Sequence, residues 1–344
     1  MFENPTVSPV LDAGNGTDRL HDFLDEITNQ ILEEEYRLSY EEAFRIGSIH
    51  KNDMLLLFHY ATQIRKRFRG NAVTLCSIVN AKSGACSEDC TFCAQSAHFK
   101  TDAPVYSLMK PETVLEAARQ AKRDGAESFG IVISGWGIKN RKKLDDICEI
   151  VAAIRREVDI EVHGSFGILS REFADHLRKC GVTQINHNLE TSERLYPTIC
   201  TTHTYQERLE ILRYVRESGM KLCAGGIFGM GETLEDRIRM AFTLRDLNVE
   251  TIPMNFLHPI PGTPLSDIRP LSPFQILMTI SLYRFILPRQ EIKICGGREK
   301  NLRDVQSMIF FAGADSMMVG NYLTTAGREP DLDLQMLKDL EFDS

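Results

Sequence analysis

Three cysteines in the stretch Asn80–Gln95, NAKSGACSEDCTFCAQ, carry the strongest chemical signal in the chain. Cys86, Cys90 and Cys93 follow the spacing C-x3-C-x2-C, in a segment too rich in Gly, Ser, Asp and Glu for the interior of a strand or helix. Three thiolates on one short loop can converge on a point, as a metal or iron–sulfur site requires. A structural zinc site takes four ligands and this loop offers three, so the zinc reading needs a distant fourth residue. On a cubane of four irons, three cysteines leave one iron open to another ligand.

Such a loop needs a scaffold, and composition bounds it. The 344 residues are 43% hydrophobic and 26% charged, as expected of a globular chain with a sizeable core. A net charge of -8, with Arg65-Lys66-Arg67 as the main basic cluster, argues against nucleic acid as a partner. Nine cysteines are too sparse in this length for a secreted disulfide scaffold. The first twenty residues are polar and no apolar run approaches membrane-spanning length. The expectation is a reduced, cytoplasmic protein with no membrane segment.

The Gly/Asn/Pro-rich tail from Met1 to about Gly16 reads as disordered. Apolar residues from Leu20 to Leu32 recur at helical spacing, Ser39-x-x-Glu42 has the form of a capping box, and Met54–Phe68 reads as a third helix. Beyond Gly70 the pattern alternates. Strands are expected at Ala72–Val79, Ser128–Ser134, Ile160–Phe166, Thr183–Leu189, Lys221–Phe228, Thr251–Leu257, Glu291–Cys295 and Ser316–Val319. Amphipathic helices are expected at Pro111–Arg123, Lys142–Arg156, Arg171–Lys179, Tyr205–Ser218, Leu234–Leu247, Phe274–Leu287 and Leu302–Phe311, with a last one at Asp331–Leu340. Eight strands each followed by a helix point to an α/β fold, a (β/α)8 TIM-type barrel with an N-terminal helical extension. The expected divisions are 1–70 for the extension, 71–325 for the barrel and 326–344 for a C-terminal helix.

In such a barrel the chemistry sits at the carboxyl ends of the strands. The cysteine loop follows the first strand. Asn186, Asn188 and Glu190 fall on one face of the fourth by period two. The fifth runs into Gly225-Gly226-Ile227-Phe228-Gly229-Met230-Gly231-Glu232, where glycines let backbone approach a flat ligand. The sixth delivers Asn255 and His258, and the seventh Cys295-Gly296-Gly297-Arg298-Glu299.

The cysteine motif with Phe92 before its last member resembles the signature of radical S-adenosylmethionine (SAM) enzymes. Together with NHNLETS at Asn186–Ser192, TTHTYQERL at Thr201–Leu209, GGIFGMGET at Gly225–Thr233, PGTPL at Pro261–Leu265 and GGRE at Gly296–Glu299, the run from Ala72 to Thr325 resembles the biotin synthase family. The resemblance implies a 4Fe–4S cluster on Cys86, Cys90 and Cys93 that binds SAM and generates a 5′-deoxyadenosyl radical. It implies adenine flanked by Phe92 and the segment containing Gly225, Ile227, Gly229 and Glu232, ribose held by Asn188 and Glu190, and Arg208 near the SAM carboxylate. It further implies dethiobiotin as substrate with Asn255 at its ureido ring, a flavodoxin or ferredoxin as electron donor, and a homodimer.

The same family resemblance implies a sulfur-donating 2Fe–2S cluster on three cysteines and an arginine. Here only Cys223 and Arg298 match those positions, while the other two are Gly130 and His163, and glycine cannot ligate. Cys76 and Cys295, with Cys223, His163 and Arg298, are the candidates for a different auxiliary iron–sulfur cluster inside the barrel. Alternatively, Cys76 and Cys295 are core residues, His163 is a hydrogen-bonded core histidine, and Arg298 pairs with a carboxylate such as Glu190. Cys148, Cys180 and Cys200 read as ordinary small core residues, and His98 and His203 have no assigned role. Two other functions stay open: a related radical SAM enzyme acting on another small molecule without inserting sulfur, and a zinc-binding barrel protein.

Overall fold

A computed structural model describes residues 16–34 and 36–343. The tail expected to be disordered lies outside the described residues except for Gly16, which opens the first helix. Helices α1 (Gly16–Glu34), α2 (Tyr40–Gly47) and α3 (Met54–Arg69) form the N-terminal extension. The capping box at α2 is closed in both directions. Ser39 Oγ accepts from the Glu42 amide at 3.3 Å, and Glu42 accepts from the Ser39 amide at 2.8 Å.

The barrel then runs β1 (Thr74–Lys82), α4 (Pro111–Arg123), β2 (Ser128–Ile133), α5 (Arg141–Glu157), β3 (Glu161–Ser165), α6 (Arg171–Cys180) and β4 (Gln184–Asn186). It continues through α7 (Tyr196–Ile199), α8 (Tyr205–Glu217), β5 (Lys221–Cys223), β6 (Gly226–Phe228), α9 (Leu234–Asp246), β7 (Thr251–Phe256), α10 (Pro273–Ile286) and β8 (Glu291–Ile294). Short helices α11 (Arg298–Leu302) and α12 (Met308–Phe311), strand β9 (Ser316–Met318) and helix α13 (Pro330–Asp339) complete it. The strands are parallel in the order β5-β4-β3-β2-β1-β9-β8-β7-β6, and β5 also pairs with β7, which closes the ring. Strands β5 and β6 share one barrel position, so the expected eight-position barrel is present.

Two expected elements are broken. The fifth strand divides at Ala224-Gly225 because its neighbour carries Pro253, which has no amide to donate to the ladder. The backbones close up there: a Cβ on Gly225 would sit 2.0 Å from the Pro253 carbonyl oxygen. The helix expected over Leu302–Phe311 is interrupted where Arg303 takes a positive φ of 51°.

Alternation along the strands separates two environments. Leu75, Phe129, Val162, Ile185, Leu222, Ile252, Ile292 and Met317 are at most 1% exposed and belong to the core between barrel and helices. The residues of opposite parity give the barrel interior a polar, buried middle: Ser128, His163, Gln184, Thr251, Lys293 and Ser316. Burying that many polar groups in a barrel is costly unless they are paired or in use.

Candidate functional site

Strand β1 delivers the cysteine loop through a register shift against β2 between Asn80 and Lys82, a bulge of the kind that re-aims a strand end. Gly84 and Ala85 then turn the chain with φ of 68° and 46°. The loop is tied to itself and to the segment after β4. Cys86 donates its amide to the Gln95 carbonyl at 3.0 Å and accepts from the Ala97 amide at 2.8 Å. Asp89 accepts from the amides of Thr201 (2.9 Å) and Thr202 (3.2 Å), and Glu88 bonds the His203 ring at 2.8 Å. The Thr201 hydroxyl and these two amides, against the opposing effect of burial, hold the Asp89 carboxyl well below the usual range.

Cys86, Cys90 and Cys93 carry unpaired thiols and line one cavity of about 390 Å³. Single-ion zinc ligands bring their sulfurs to about 3.8 Å of one another, from Zn–S bonds of about 2.3 Å in a tetrahedron. Among the described residues the three loop sulfurs do not gather within 4.8 Å. Cys90 instead meets Cys200 and His203 at that spacing, so the three loop sulfurs do not by themselves form a single-ion site.

The same cavity is lined by Phe92, Asn188, Glu190, Arg208, Ile227 and Asn255. Asn186, Asn188 and Glu190 all reach it, as period two suggested, but β4 ends at Asn186 and Glu190 arrives on a left-handed backbone with φ 67°. Arg208 is nearly buried. It donates to the Asn188 carbonyl (2.7 Å), the Tyr196 hydroxyl (2.6 Å) and the His203 ring (2.8 Å), and lies 3.6 Å from Glu190. Burial alone would lower its pKa, but Glu190 and Tyr196 more than offset this and raise it. Burial pushes the Glu190 carboxyl up, with Arg208 opposing.

The sequence matches the Radical SAM superfamily over residues 81–244 and the Biotin and Thiamin Synthesis associated domain over residues 253–343. The biotin synthase of Geotalea daltonii is 51% identical over 87% of this chain and 91% of its own length, and that of Geobacter sulfurreducens is 50% identical over 88% and 92%. The chain belongs to the biotin synthase family. The barrel also resembles the crystal structure of methylornithine synthase (PylB), with a TM-score of 0.80 at 18% identity over 92% of this chain and 96% of that one, a likeness of fold alone.

Within this biotin synthase fold, several residues expected at the SAM site are otherwise engaged. Glu232 does not line the cavity. Its carboxylate is buried and accepts from the Gly229 and Met230 amides at 2.8 Å, and Arg237 pairs with it at 2.8 Å. It holds the glycine turn in shape. Gly225 and Gly229 also lie off the cavity wall, and Ile227 is the member of that segment that faces in. Asn255 does face in, with both ends of its amide on backbone: Oδ1 accepts from the Gly296 amide at 3.0 Å and Nδ2 donates to the Gly226 carbonyl at 3.3 Å.

Beneath the cavity lie the barrel cysteines. Cys295 lines its wall, while Cys76, Cys223 and His163, also buried, do not. The cation among them is Lys293, two residues before Cys295 on the same face of the seventh barrel strand and only 4% exposed. Burial would depress its pKa, yet Cys76 and Glu291, the latter 3.0 Å away, raise it well above the ordinary lysine value. Cys76 settles at about 7, with burial opposed by Lys293 and by His163, whereas burial pushes Cys223 up to about 12 and Cys295 well above the normal thiol range. Sequence reasoning missed Lys293, although its parity with Cys295 was the available signal.

Arg298 does not join this group. Gly297 takes φ 79° and opens α11, so the guanidinium turns to Asp333 on α13, donating at 3.0 and 2.6 Å, with both residues fully buried. This is the alternative in which Arg298 pairs with a buried carboxylate, and the carboxylate is Asp333 rather than Glu190.

Two further expectations are corrected. Cys200 is not an ordinary core residue, because Cys90 donates to its sulfur at 3.6 Å and the His203 ring lies 3.3 Å from it. Hydrogen bonding from Cys90, against burial, holds Cys200 at about 4 and leaves Cys90 as the protonated partner. Cys148 and Cys180 are bonded to each other across α5 and α6, so the cysteines are not all unpaired.

Proposed function

We propose that this chain converts dethiobiotin to biotin, with Cys86, Cys90 and Cys93 holding a 4Fe–4S cluster and Cys76, Cys223, Cys295 and His163 holding an auxiliary iron–sulfur group as the sulfur source. Its reaction class, radical SAM sulfur insertion, is that of its family. When bound, the 4Fe–4S cluster and SAM supply a radical able to take hydrogen from unactivated carbon.

The protein's own part is to bind, orient and exclude water. Phe92 and Ile227 offer apolar faces to a flat ring, Asn188 and Glu190 offer an amide and a carboxyl to hydroxyls, and Arg208 offers a fixed positive charge nearby. Asn255 closes the wall on the side of Cys295, where its engaged amide keeps one orientation for a polar substrate ring. Below, Lys293 sets a buried positive charge among three sulfurs that would carry negative charge once deprotonated. Thiolates and imidazole are a donor set suited to iron–sulfur ligation.

The observation that carries the reading is the shared cavity: Cys295 opens into the space lined by the three loop cysteines. Anaerobic incubation of the reconstituted protein with dethiobiotin, SAM and a flavodoxin or ferredoxin reductant should yield biotin. SAM cleavage without biotin would favour the second reading, a radical SAM enzyme acting on another small molecule, which Gly130 and His163 keep open. A homodimer in the cytoplasm is part of the same proposal.

A further inference from the structure

Cys148 and Cys180 lie away from the cavity, between α5 and α6 in the outer helical layer, with Cα atoms 5.5 Å apart. His176 stands one turn before Cys180, at the i,i+4 spacing that puts two side chains on one helix face. One ligand atom from each of Cys148, His176 and Cys180 lies within 4.8 Å of the other two. The two sulfurs are joined in the disulfide, and the His176 ring is close enough to both to share an ion with them once that bond opens. Asp145, on the same face of α5 as Cys148, brings Oδ1 to 3.8 Å of His176 Nε2. A metal-bound imidazole takes such a carboxylate through its other nitrogen. Arg141 donates to Nδ1 at 3.2 Å, but its side chain is 56% exposed and can swing aside.

The cross-link is not sealed in a core: both cysteines and His176 are only half-buried. The chain also carries seven unpaired cysteines among the described residues, and the loop thiols ligate only in their reduced form. Conditions that keep those thiols reduced open an accessible disulfide as well. Two thiolates and an imidazole on one point then form a soft, three-ligand site of the type zinc occupies, with water as fourth ligand.

We propose that Cys148, Cys180 and His176 form a zinc site in the reduced protein, exchanged for the Cys148–Cys180 disulfide on oxidation. Zinc binding releases the two thiol protons. A low-molecular-weight disulfide reverses it: one cysteine sulfur attacks it and expels a thiolate, then the second closes the protein disulfide and expels another. The protein sulfurs lose two electrons, the small disulfide gains them, and Zn2+ leaves. None of this depends on dethiobiotin being the substrate.

The test uses the anaerobically prepared, cluster-loaded full chain, reduced and equilibrated with Zn2+ in the presence of a competing chelator. The parent should hold one more zinc per chain than Cys148→Ser/Cys180→Ser, and His176→Ala should lose zinc at a chelator concentration the parent withstands. Adding oxidised glutathione to the zinc-loaded parent should release that zinc and remove two titratable thiols per chain, a readout that needs no variant. Equal zinc in the parent and the double variant, or zinc that stays bound after the disulfide forms, overturns the proposal.

Discussion

Lys293 is the residue on which the inner chemistry of the barrel turns. A lysine 4% exposed beside Cys76, Cys223, Cys295 and Glu291 is stable as a cation only because those groups surround it. Replacing it by methionine takes the main buried counter-charge from Glu291 and Cys76, leaving His163 beside Cys76 and Ser316 beside Glu291. Lys293→Met should therefore lower stability by about 3–5 kcal/mol in chemical denaturation, and the folded fraction should lose auxiliary iron while keeping the loop cluster. By contrast, Cys86→Ala, Cys90→Ala or Cys93→Ala should each abolish SAM cleavage, measured as 5′-deoxyadenosine formed, with the fold intact by circular dichroism. The loop triad was legible because its chemistry is written in local spacing. Lys293 was not, because the Gly296–Glu299 motif drew the assignment to Arg298, and only strand parity separates the two. Cys200 and His203 escaped for a different reason: Cys200 meets Cys90 across 110 residues of chain, with His203 beside it.

At the scale of elements, two buried carboxylates tie helices to the barrel. Asp333 on α13 accepts from Arg298 and from Arg328 (3.1 Å). Asp333→Ala takes the two-pronged partner from the buried Arg298 guanidinium, leaving it Gln306 at 2.8 Å and Glu299 at 3.4 Å, and should cost about 3–5 kcal/mol, while iron per folded chain stays unchanged. A loss of iron in Arg298→Met would restore Arg298 as a cluster residue. Asp236 on α9 accepts from Ser192 (2.6 Å) and pairs with Arg194, fixing the segment after β4 that carries Glu190. Burial raises its pKa, but Arg194, Ser192 and Thr233 lower it far more. The folded carboxyl thus binds its proton less readily than the unfolded one. The stability it contributes is complete above the unfolded value of about 4 and is lost as pH falls through the folded value. Asp236→Asn should cost about 2 kcal/mol at neutral pH and flatten the acid limb of the stability profile. The alternation that built the barrel was legible in hydrophobic period and capping residues. The break in the fifth strand was not, because Pro253 on the neighbouring strand causes it.

The whole molecule is a barrel with an apolar jacket and a polar middle. Its cavity joins a ring of loop thiols to Cys295, and three further buried groups, Cys76, Cys223 and His163, lie beneath. Among the described residues no helix is long and apolar enough to cross a membrane. The closed ring was foreseeable from eight strand–helix repeats. The Cys148–Cys180 bond, 32 residues apart, was not, since nothing in sequence says that those positions of α5 and α6 face each other. The central claim is that one cavity serves two iron–sulfur groups. Iron and sulfide counts with Mössbauer spectra on anaerobically prepared protein test it directly, comparing the parent with a variant lacking Cys76, Cys223 and Cys295. The parent should carry iron and sulfide beyond one 4Fe–4S complement, and the triple variant should lose that excess alone. Equal iron in the two proteins would contradict it.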